Sequence, residues 1–136
     1  MVLLDTSVWI FALRPLGSPE IQSLVKPLIL NGEAAVSDWI MLELMTGLQK
    51  GQRADSLLEF FSPLSRLSFH ETWWPKVWKL AAMLRAKGIS PSAADCFIAT
   101  TALEHGLVLW HCDKDFEHIK RHSSLKTFNL IESIDS

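Results

Sequence analysis

The sequence predicts an α/β domain in which strands alternate with helices, giving a parallel sheet that helices cover on both faces. Short strand-like segments occur at 2–5, 33–37, 107–110 and 125–131, of which 2–5 and 107–110 are apolar runs typical of buried strands, and the segment 64–69 alternates apolar and polar residues as a strand does. Segments with helical spacing and helix-capping residues separate most of these runs. Because parallel strands need a long crossover connection, usually a helix, this alternation indicates a parallel sheet.

Caps, prolines and glycines define the helices in the first half of the chain. A loop is predicted at three residues that disfavour regular structure: Pro15, Gly17 and Pro19. A helix follows this loop, and Pro27 should shorten or kink it. Ser37 or Asp38 is expected to cap the next helix, which should end near Gly47 or Gly51.

Two long helices are predicted in the second half. Thr72 is expected to cap a tryptophan-rich helix that ends at Gly88. Ser90 and Pro91 should open the next helix, which Gly106 closes. The strand "LVLW" (107–110) follows directly.

Composition limits the class of protein. The 136 residues are 49% hydrophobic and 21% charged, which predicts one compact domain over 1–136. No apolar run approaches the roughly 20 residues that span a bilayer, so no membrane segment is expected. The N-terminal segment has no basic stretch, and Asp5 interrupts its apolar run, which predicts no secretory signal. Cys96 and Cys112 are too few for a disulfide scaffold and fit a reducing, cytoplasmic location.

The net charge of −2 argues against a protein that holds nucleic acid by a broad basic surface. It does not exclude a nuclease, because a cluster of acids that binds cations reverses its own field. Several acids have positions that suit such a cluster. Asp5 and Asp113 each follow a predicted strand, Glu43 lies inside the apolar stretch "IMLELM", and Asp95 lies at the start of a helix.

The carboxyl ends of parallel strands meet at one edge of the sheet, where ligands collect. Acids gathered there repel one another unless cations intervene, and hard carboxylate oxygens suit Mg²⁺ or Mn²⁺. Two divalent ions would neutralise four carboxylates. Such ions can also stabilise the attacking and leaving oxygens of a phosphodiester undergoing hydrolysis.

Each acid also has a local explanation. Asp5 could cap the turn that follows it, and Glu43 could occupy a narrow exposed face of its helix. Ser92 and Asp95 have the spacing of a capping box. The acids after "LVLW" could be ordinary turn residues.

Four segments carry a resemblance to a known family: "LLDTSVWI" (3–10), "ELMTGL" (43–48), "AADCFIATTALEHG" (93–106) and "LVLWHCDKDFEHI" (107–119). In their order and approximate spacing, the chain resembles the PIN-domain ribonucleases, most closely the VapC-type toxins of bacterial toxin–antitoxin pairs. The likeness spans essentially the whole chain. It implies a PIN-like three-layer α/β/α fold with a mainly parallel central sheet of four to five strands.

The resemblance also implies a site and an activity. It places the metal-binding acids at Asp5, Glu43, Asp95 and Asp113. Asp115 matches an acid that supports the site or binds a second ion, and Thr6 or Ser7 matches a supporting hydroxyl residue. The implied activity is that of an Mg²⁺-dependent endoribonuclease, with Mn²⁺ as a substitute, acting on structured RNA such as tRNA. The implied partners are a VapB-type antitoxin and a second copy of the chain.

One departure concerns the residues before Asp113. Trp110 and Cys112 are less usual there, which leaves the fit of the substrate open. Three basic residues flank this motif and are candidates for RNA binding, with a solvated surface as the alternative: Lys114, Lys120 and Arg121. The tryptophans are expected mostly in the core, although some could line a groove for an antitoxin helix or a twin subunit.

Three rival interpretations remain at this stage. The histidines and cysteine in "HCDKDFEHIKRH" (111–122) suggest zinc, but their spacing matches no standard zinc motif. A doubly wound phosphatase or phosphoacceptor domain would also place an acid after its first strand. The common phosphatase pattern, however, wants a second acid where this chain has Ser7. The third rival is a non-catalytic PIN domain that serves as an interaction module.

Overall fold

The computed structural model of the protein describes residues 1–14 and 17–135, the last three of them without their side chains. Pro15 of the predicted first loop therefore lies outside the described residues. The strands are β1 (Val2–Leu4), β2 (Ala34–Ser37), β3 (Ser65–Leu67), β4 (Val108–His111) and β5 (Thr127–Asn129). They form one sheet in the order β3-β2-β1-β4-β5, and every neighbouring pair is parallel. The prediction of a parallel sheet is thus confirmed.

Eight α-helices occur in the described ranges: α1 (Thr6–Leu13), α2 (Pro19–Leu30), α3 (Asp38–Thr46), α4 (Ala54–Phe61), α5 (Trp74–Ala86), α6 (Ala93–His105), α7 (Asp115–Arg121) and α8 (Leu130–Asp135). Leu3 and Leu4 point to opposite faces of β1, and neither is exposed to solvent. Both faces of the sheet are therefore covered, as expected for a three-layer α/β/α architecture.

The order of the strands decides where a site can form. From β1 the chain moves outward through β2 and β3, then returns to place β4 on the other side of β1. The carboxyl ends of β1 and β4 lie side by side, and the backbone N–H of Asp5 donates to the carbonyl of Trp110 at 2.9 Å. This is the switch point of the sheet, the place where such folds bind ligands.

Several predicted helix boundaries are confirmed. The Ser37 hydroxyl accepts the backbone N–H of Ile40 at the start of α3, and that helix ends at Gly47. The Ser92 hydroxyl accepts the backbone N–H of Asp95 at 3.0 Å, as its capping role predicts. Gly106 closes α6 in the left-handed conformation that favours glycine.

Three other boundary predictions are wrong. Pro27 does not shorten α2, which continues to Leu30, because a proline near a helix end removes only one of the last hydrogen bonds. Thr72 does not cap α5; it lies in a 3₁₀ turn, and its hydroxyl contacts His70. The last strand ends at Asn129 because the Asn129 side chain accepts the backbone N–H of Ile131 and starts α8.

The expectation that the tryptophans are mostly core residues is also wrong. Trp9 is fully buried against Phe61, but Trp74 and Trp78 on α5 are 38% and 63% exposed. The buried positions of α5 are occupied by smaller residues such as Val77. Trp78 lies on the outer surface of the helix, and Trp74 packs one side against Phe69 and Phe97. Within the described part of the chain, no helix is long and apolar enough to cross a membrane.

We predict that Leu109→Ala in the centre of the sheet lowers the free energy of unfolding by about 3 kcal/mol, since it leaves a cavity. Leu42→Ala, at a position 55% exposed on α3, should change it by about 0.5 kcal/mol or less. Urea unfolding followed by circular dichroism measures both. Equal losses in the two variants would contradict the assignment of the core.

Candidate metal centre

Asp5 lies between β1 and α1, where it combines a local role with a position at the switch point. Its carboxylate accepts the backbone N–H of Ser7 at 3.1 Å and the Ser7 hydroxyl at 2.6 Å. The proposed capping role is therefore real. Only 6% of Asp5 is exposed, and this burial raises the pKa of its carboxyl although the Ser7 hydrogen bonds oppose the rise.

Glu43 on α3 is held close to the same region. The Thr6 hydroxyl donates to Glu43 Oε1 at 2.7 Å across 37 residues of sequence. Partial burial raises the pKa of the Glu43 carboxyl, and the negative charge of Asp5 raises it further. Glu43 therefore faces the acidic side of the fold, not a separate exposed surface.

Asp95, Asp113 and Asp115 form a compact acidic cluster. One carboxylate oxygen from each of the three lies within 4.8 Å of the other two. Asp95 comes from the first turn of α6, Asp113 from the turn after β4, and Asp115 from the start of α7. The backbone N–H of Asp115 donates to Asp113 Oδ1 at 2.9 Å, which fixes the turn.

Like charges link this cluster to Asp5. Burial first, and then the charges of Asp5 and Asp113 with a smaller effect of Asp115, raise the pKa of Asp95 to about 7. Asp5 also raises the pKa of Glu43. Asp5 and Glu43 are not members of the three-carboxylate group, but Asp5 is near enough to perturb both Glu43 and Asp95.

Ser7 connects the two strand ends at the site. Its hydroxyl donates to Asp5 and accepts the backbone N–H of Cys112 at 3.0 Å. The turn that carries Asp113 is thereby tied to the residue that follows β1. Both predicted supporting hydroxyls thus contact an acid, Thr6 contacting Glu43 and Ser7 contacting Asp5.

The donor set suits a hard divalent cation. Three convergent carboxylates, one with its pKa near 7, are unfavourable together unless protons or cations reduce their repulsion. Among the residues that the structure describes, no histidine or cysteine belongs to a group able to hold a metal. Burial and the Asp5 charge raise the pKa of the Cys112 thiol to about 11, which keeps it neutral. A zinc site in this motif is therefore not supported.

A second network next to the cluster was missed by the sequence analysis. His111 at the end of β4 is completely buried, and its Nε2 lies 2.8 Å from Glu117 Oε1. The Thr127 hydroxyl on β5 donates to the same oxygen at 2.9 Å. Burial tends to raise the pKa of Glu117, but the hydrogen bonds from Thr127 and His111 outweigh it and hold this pKa below its ordinary value. The only sign of this network in the sequence was a histidine, His111, two residues before Asp113 at the end of an apolar strand.

The three basic residues considered for RNA binding are exposed: Lys114, Lys120 and Arg121. Lys114 precedes α7, and the other two lie in its last turn. Arg121 contacts His118 Nδ1 at 3.4 Å. Of the three, Lys114 adjoins Asp113, whereas Lys120 and Arg121 lie at the opposite end of α7 from Asp115.

A parallel sheet with acids at its switch point defines an α/β domain with a candidate ligand site at the carboxyl ends of its strands, and comparison with known families makes this specific. The chain belongs to the PIN-domain family, whose family model matches residues 2–122. The resemblance seen in the sequence is therefore confirmed at the level of the family.

The sequence identity to individual relatives is below 30%. The chain is 29% identical over 131 residues to ribonuclease VapC11 of Mycobacterium tuberculosis, covering 93% of this chain and 96% of that protein. The same identity and coverage hold for a VapC ribonuclease of Mycobacterium bovis.

Solved structures share the fold. FitAcB from Neisseria gonorrhoeae has a TM-score of 0.73 at 25% identity, over 95% of this chain and 97% of that one. The structure of VapBC2 from Rickettsia felis bound to a DNA fragment from its promoter has a TM-score of 0.76 at 23% identity. The match covers 95% of this chain and 98% of that one. The prediction of a PIN-like α/β/α fold is thus confirmed.

We predict that Asp95→Asn stabilises the protein in chelator at neutral and alkaline pH. Between about pH 4 and 7 the unfolded wild type releases a proton that folded Asp95 retains, so rising pH lowers the free energy of unfolding. The variant lacks this loss and should be about 1–2 kcal/mol more stable at about pH 8, after allowance for solvent screening. Urea unfolding at several pH values measures the difference.

That gain in stability should shrink to a small fraction of its alkaline value at about pH 4, where folded Asp95 is protonated and unfolded Asp95 is close to half protonated. Asp55→Asn on α4 is the matched control, because the Asp55 side chain is 86% exposed. A stability gain for Asp95→Asn that is the same at pH 4 and pH 8 would contradict the electrostatic explanation.

Proposed function

We propose that this protein is a metal-dependent endoribonuclease and the toxin of a type II toxin–antitoxin pair. The observation that carries the proposal is the convergence of Asp95, Asp113 and Asp115 within 4.8 Å, beside Asp5 at the switch point. Membership of the PIN-domain family and similarity to proteins named VapC ribonuclease support it.

In this proposal Asp5, Glu43, Asp95 and Asp113 hold Mg²⁺, which Mn²⁺ can replace, and Asp115 supports the site or holds a second ion. When bound, the cation lowers the pKa of a water and stabilises charge on the phosphate oxygens. Asp95, whose pKa is about 7 without a cation, would be fully ionised with one bound, because the positive charge would offset the repulsion from its neighbours.

Glu43 is suited to accept the proton of the attacking water. Burial and the Asp5 charge raise the pKa of its carboxyl, which makes it a stronger proton acceptor, while the Thr6 hydroxyl holds one of its oxygens. No histidine is required as a base. Attack of water in line with the leaving oxygen should leave a 5′ phosphate on one product.

The two remaining rivals are less well supported. In a phosphatase of doubly wound topology a second acid would be expected at the position of Ser7, but this hydroxyl bridges Asp5 and Cys112. A non-catalytic interaction module would have no need to retain three acids in unfavourable proximity. A VapB-type antitoxin, a second copy of the chain and a cytoplasmic location complete the proposal. Structured RNA such as tRNA is the proposed substrate.

We predict that Asp5→Asn and Asp95→Asn each lower the rate of RNA cleavage in Mg²⁺ by about 100-fold or more, because each removes a charge that binds the cation. Cleavage of a labelled tRNA and of an unstructured oligonucleotide of matched length measures the rate, and end analysis identifies the 5′ phosphate. Chelator should abolish cleavage by the wild type.

Asp55→Asn controls for the loss of one negative charge far from the acidic cluster and should cleave at the wild-type rate. Full cleavage by both site variants would end the nuclease proposal. A phosphorylated Asp5 in the absence of RNA cleavage would favour the phosphatase rival instead.

We predict that the double variant Lys120→Gln, Arg121→Gln raises KM for RNA and leaves kcat nearly unchanged, because these residues would bind phosphates away from the reacting bond. The salt dependence of RNA binding should also become shallower, by about one unit of slope per removed contact. Lys26→Gln combined with Lys79→Gln, on α2 and α5, removes the same charge elsewhere. Equal effects of the two double variants would show that net charge alone matters.

A further inference from the structure

His111 has no part in the proposed chemistry, yet it is a completely buried polar side chain two residues before Asp113. Both of its ring nitrogens are engaged. The backbone N–H of Asp113 donates to Nδ1 at 3.1 Å, and Nε2 lies 2.8 Å from Glu117 Oε1. His111 is therefore not free to bind a metal in this arrangement, and its contacts define a different role.

The two contacts fix the tautomer of the imidazole. Because Nδ1 accepts an N–H, its lone pair is used and it carries no proton. The ring proton must then be on Nε2, which donates it to Glu117 Oε1. The Thr127 hydroxyl donates to the same oxygen, so the carboxylate of Glu117 is held by two donors from two strands.

The same turn is anchored at three successive points. The backbone N–H of Cys112 binds the Ser7 hydroxyl, that of Asp113 binds His111 Nδ1, and that of Asp115 binds Asp113 Oδ1. Of these acceptors, only His111 Nδ1 comes from a side chain that is completely buried and held at its far end. The imidazole thus sets the direction in which the Asp113 backbone leaves β4.

We propose that His111 is a positioning residue: its Nδ1 accepts the Asp113 backbone N–H and so fixes the Asp113 carboxylate in the acidic cluster. Glu117 and Thr127 complete this relay by holding the imidazole in the tautomer that leaves Nδ1 able to accept, a requirement that an amide oxygen in its place does not have. The inference rests on the proposed metal-binding function. Such partners of ligand residues hold the geometry on which cation affinity depends.

Two substitutions test the contacts of the two ring nitrogens separately. In His111→Asn the amide oxygen takes roughly the place of Nδ1 and can accept the Asp113 N–H, but it cannot reach Glu117. In His111→Gln the amide reaches the region of Nε2 and Glu117, but the acceptor near Asp113 is lost. His111→Asn also leaves the larger cavity and should be the less stable variant.

The test measures Mn²⁺ affinity by titration calorimetry alongside thermal unfolding in chelator. The relay predicts that His111→Gln binds Mn²⁺ about fivefold to tenfold more weakly than wild type, while His111→Asn stays within about threefold. In RNA cleavage, kcat at fixed Mn²⁺ should fall for His111→Gln, with KM for RNA unchanged. His122→Asn, at an exposed histidine just after α7, is the matched control and should behave as wild type.

If His111 served only to stabilise the fold, the Mn²⁺ affinities of the two variants would follow their stabilities. His111→Asn, the less stable variant, would then bind Mn²⁺ more weakly than His111→Gln. That order, or equal affinities, would overturn the inference while leaving the metal site intact. Loss of Mn²⁺ binding in Asp95→Asn tests the site independently. If the wild type binds no Mn²⁺, the metal-dependent function fails and the relay fails with it.

A further measurement does not depend on the variants folding. Long-range ¹H–¹⁵N spectra of the wild type distinguish a protonated from an unprotonated imidazole nitrogen. Nδ1 of His111 should be unprotonated and Nε2 protonated. A proton on Nδ1 would exclude the contact with Asp113 and overturn the inference.

Discussion

Repulsion between carboxylates gathered at one sheet edge is the constraint on which the rest of this structure depends. Asp95, Asp113 and Asp115 lie within 4.8 Å of one another, and Asp5 is near enough to raise the pKa of Asp95. Such a group is unfavourable on its own, and a folded chain retains it only if other contacts hold it. The surrounding hydroxyls and backbone N–H groups supply those contacts.

The acids and their neighbours can cap helices and also contribute to the acidic site. Asp5 caps α1 and also lies at the switch point; Ser92 caps α6 and thereby starts the helix on which Asp95 is presented. Helix termini near the sheet edge need polar residues in any case. The same residue types that satisfy the ends of the helices can therefore also bring negative charge into the site.

The supporting contacts all join different elements of the fold. Thr6 reaches Glu43, Ser7 reaches Cys112, and Glu117 gathers His111 and Thr127. Two of them join segments that are far apart in sequence, Thr6 to Glu43 and Ser7 to Cys112, whereas the Glu117 contacts span ten residues or fewer. The order of the strands, which places β4 beside β1, is what brings Ser7 to Cys112.

The sequence alone determined the class of fold and the candidate acids. Apolar runs and capping residues are local signals, so they identified β1, β4, the cap at Ser92 and the acids that follow the strands. Boundaries were less predictable at Thr72 and Asn129, where a 3₁₀ turn and a side-chain cap replaced the expected element. The exposed indoles of α5 were also unexpected, because burial depends on which neighbours reach a helix face.

Only the tertiary structure decided that Asp115 joins Asp95 and Asp113, that Glu43 faces Thr6, and that His111 has both ring nitrogens engaged. These facts depend on the placement of β4 beside β1 and of α6 near the turn after β4. Distances between residues separated by many positions are set by packing, and hydrophobic periodicity contains no information about them. The physical reason is that packing acts on whole elements, whereas sequence patterns report each element separately.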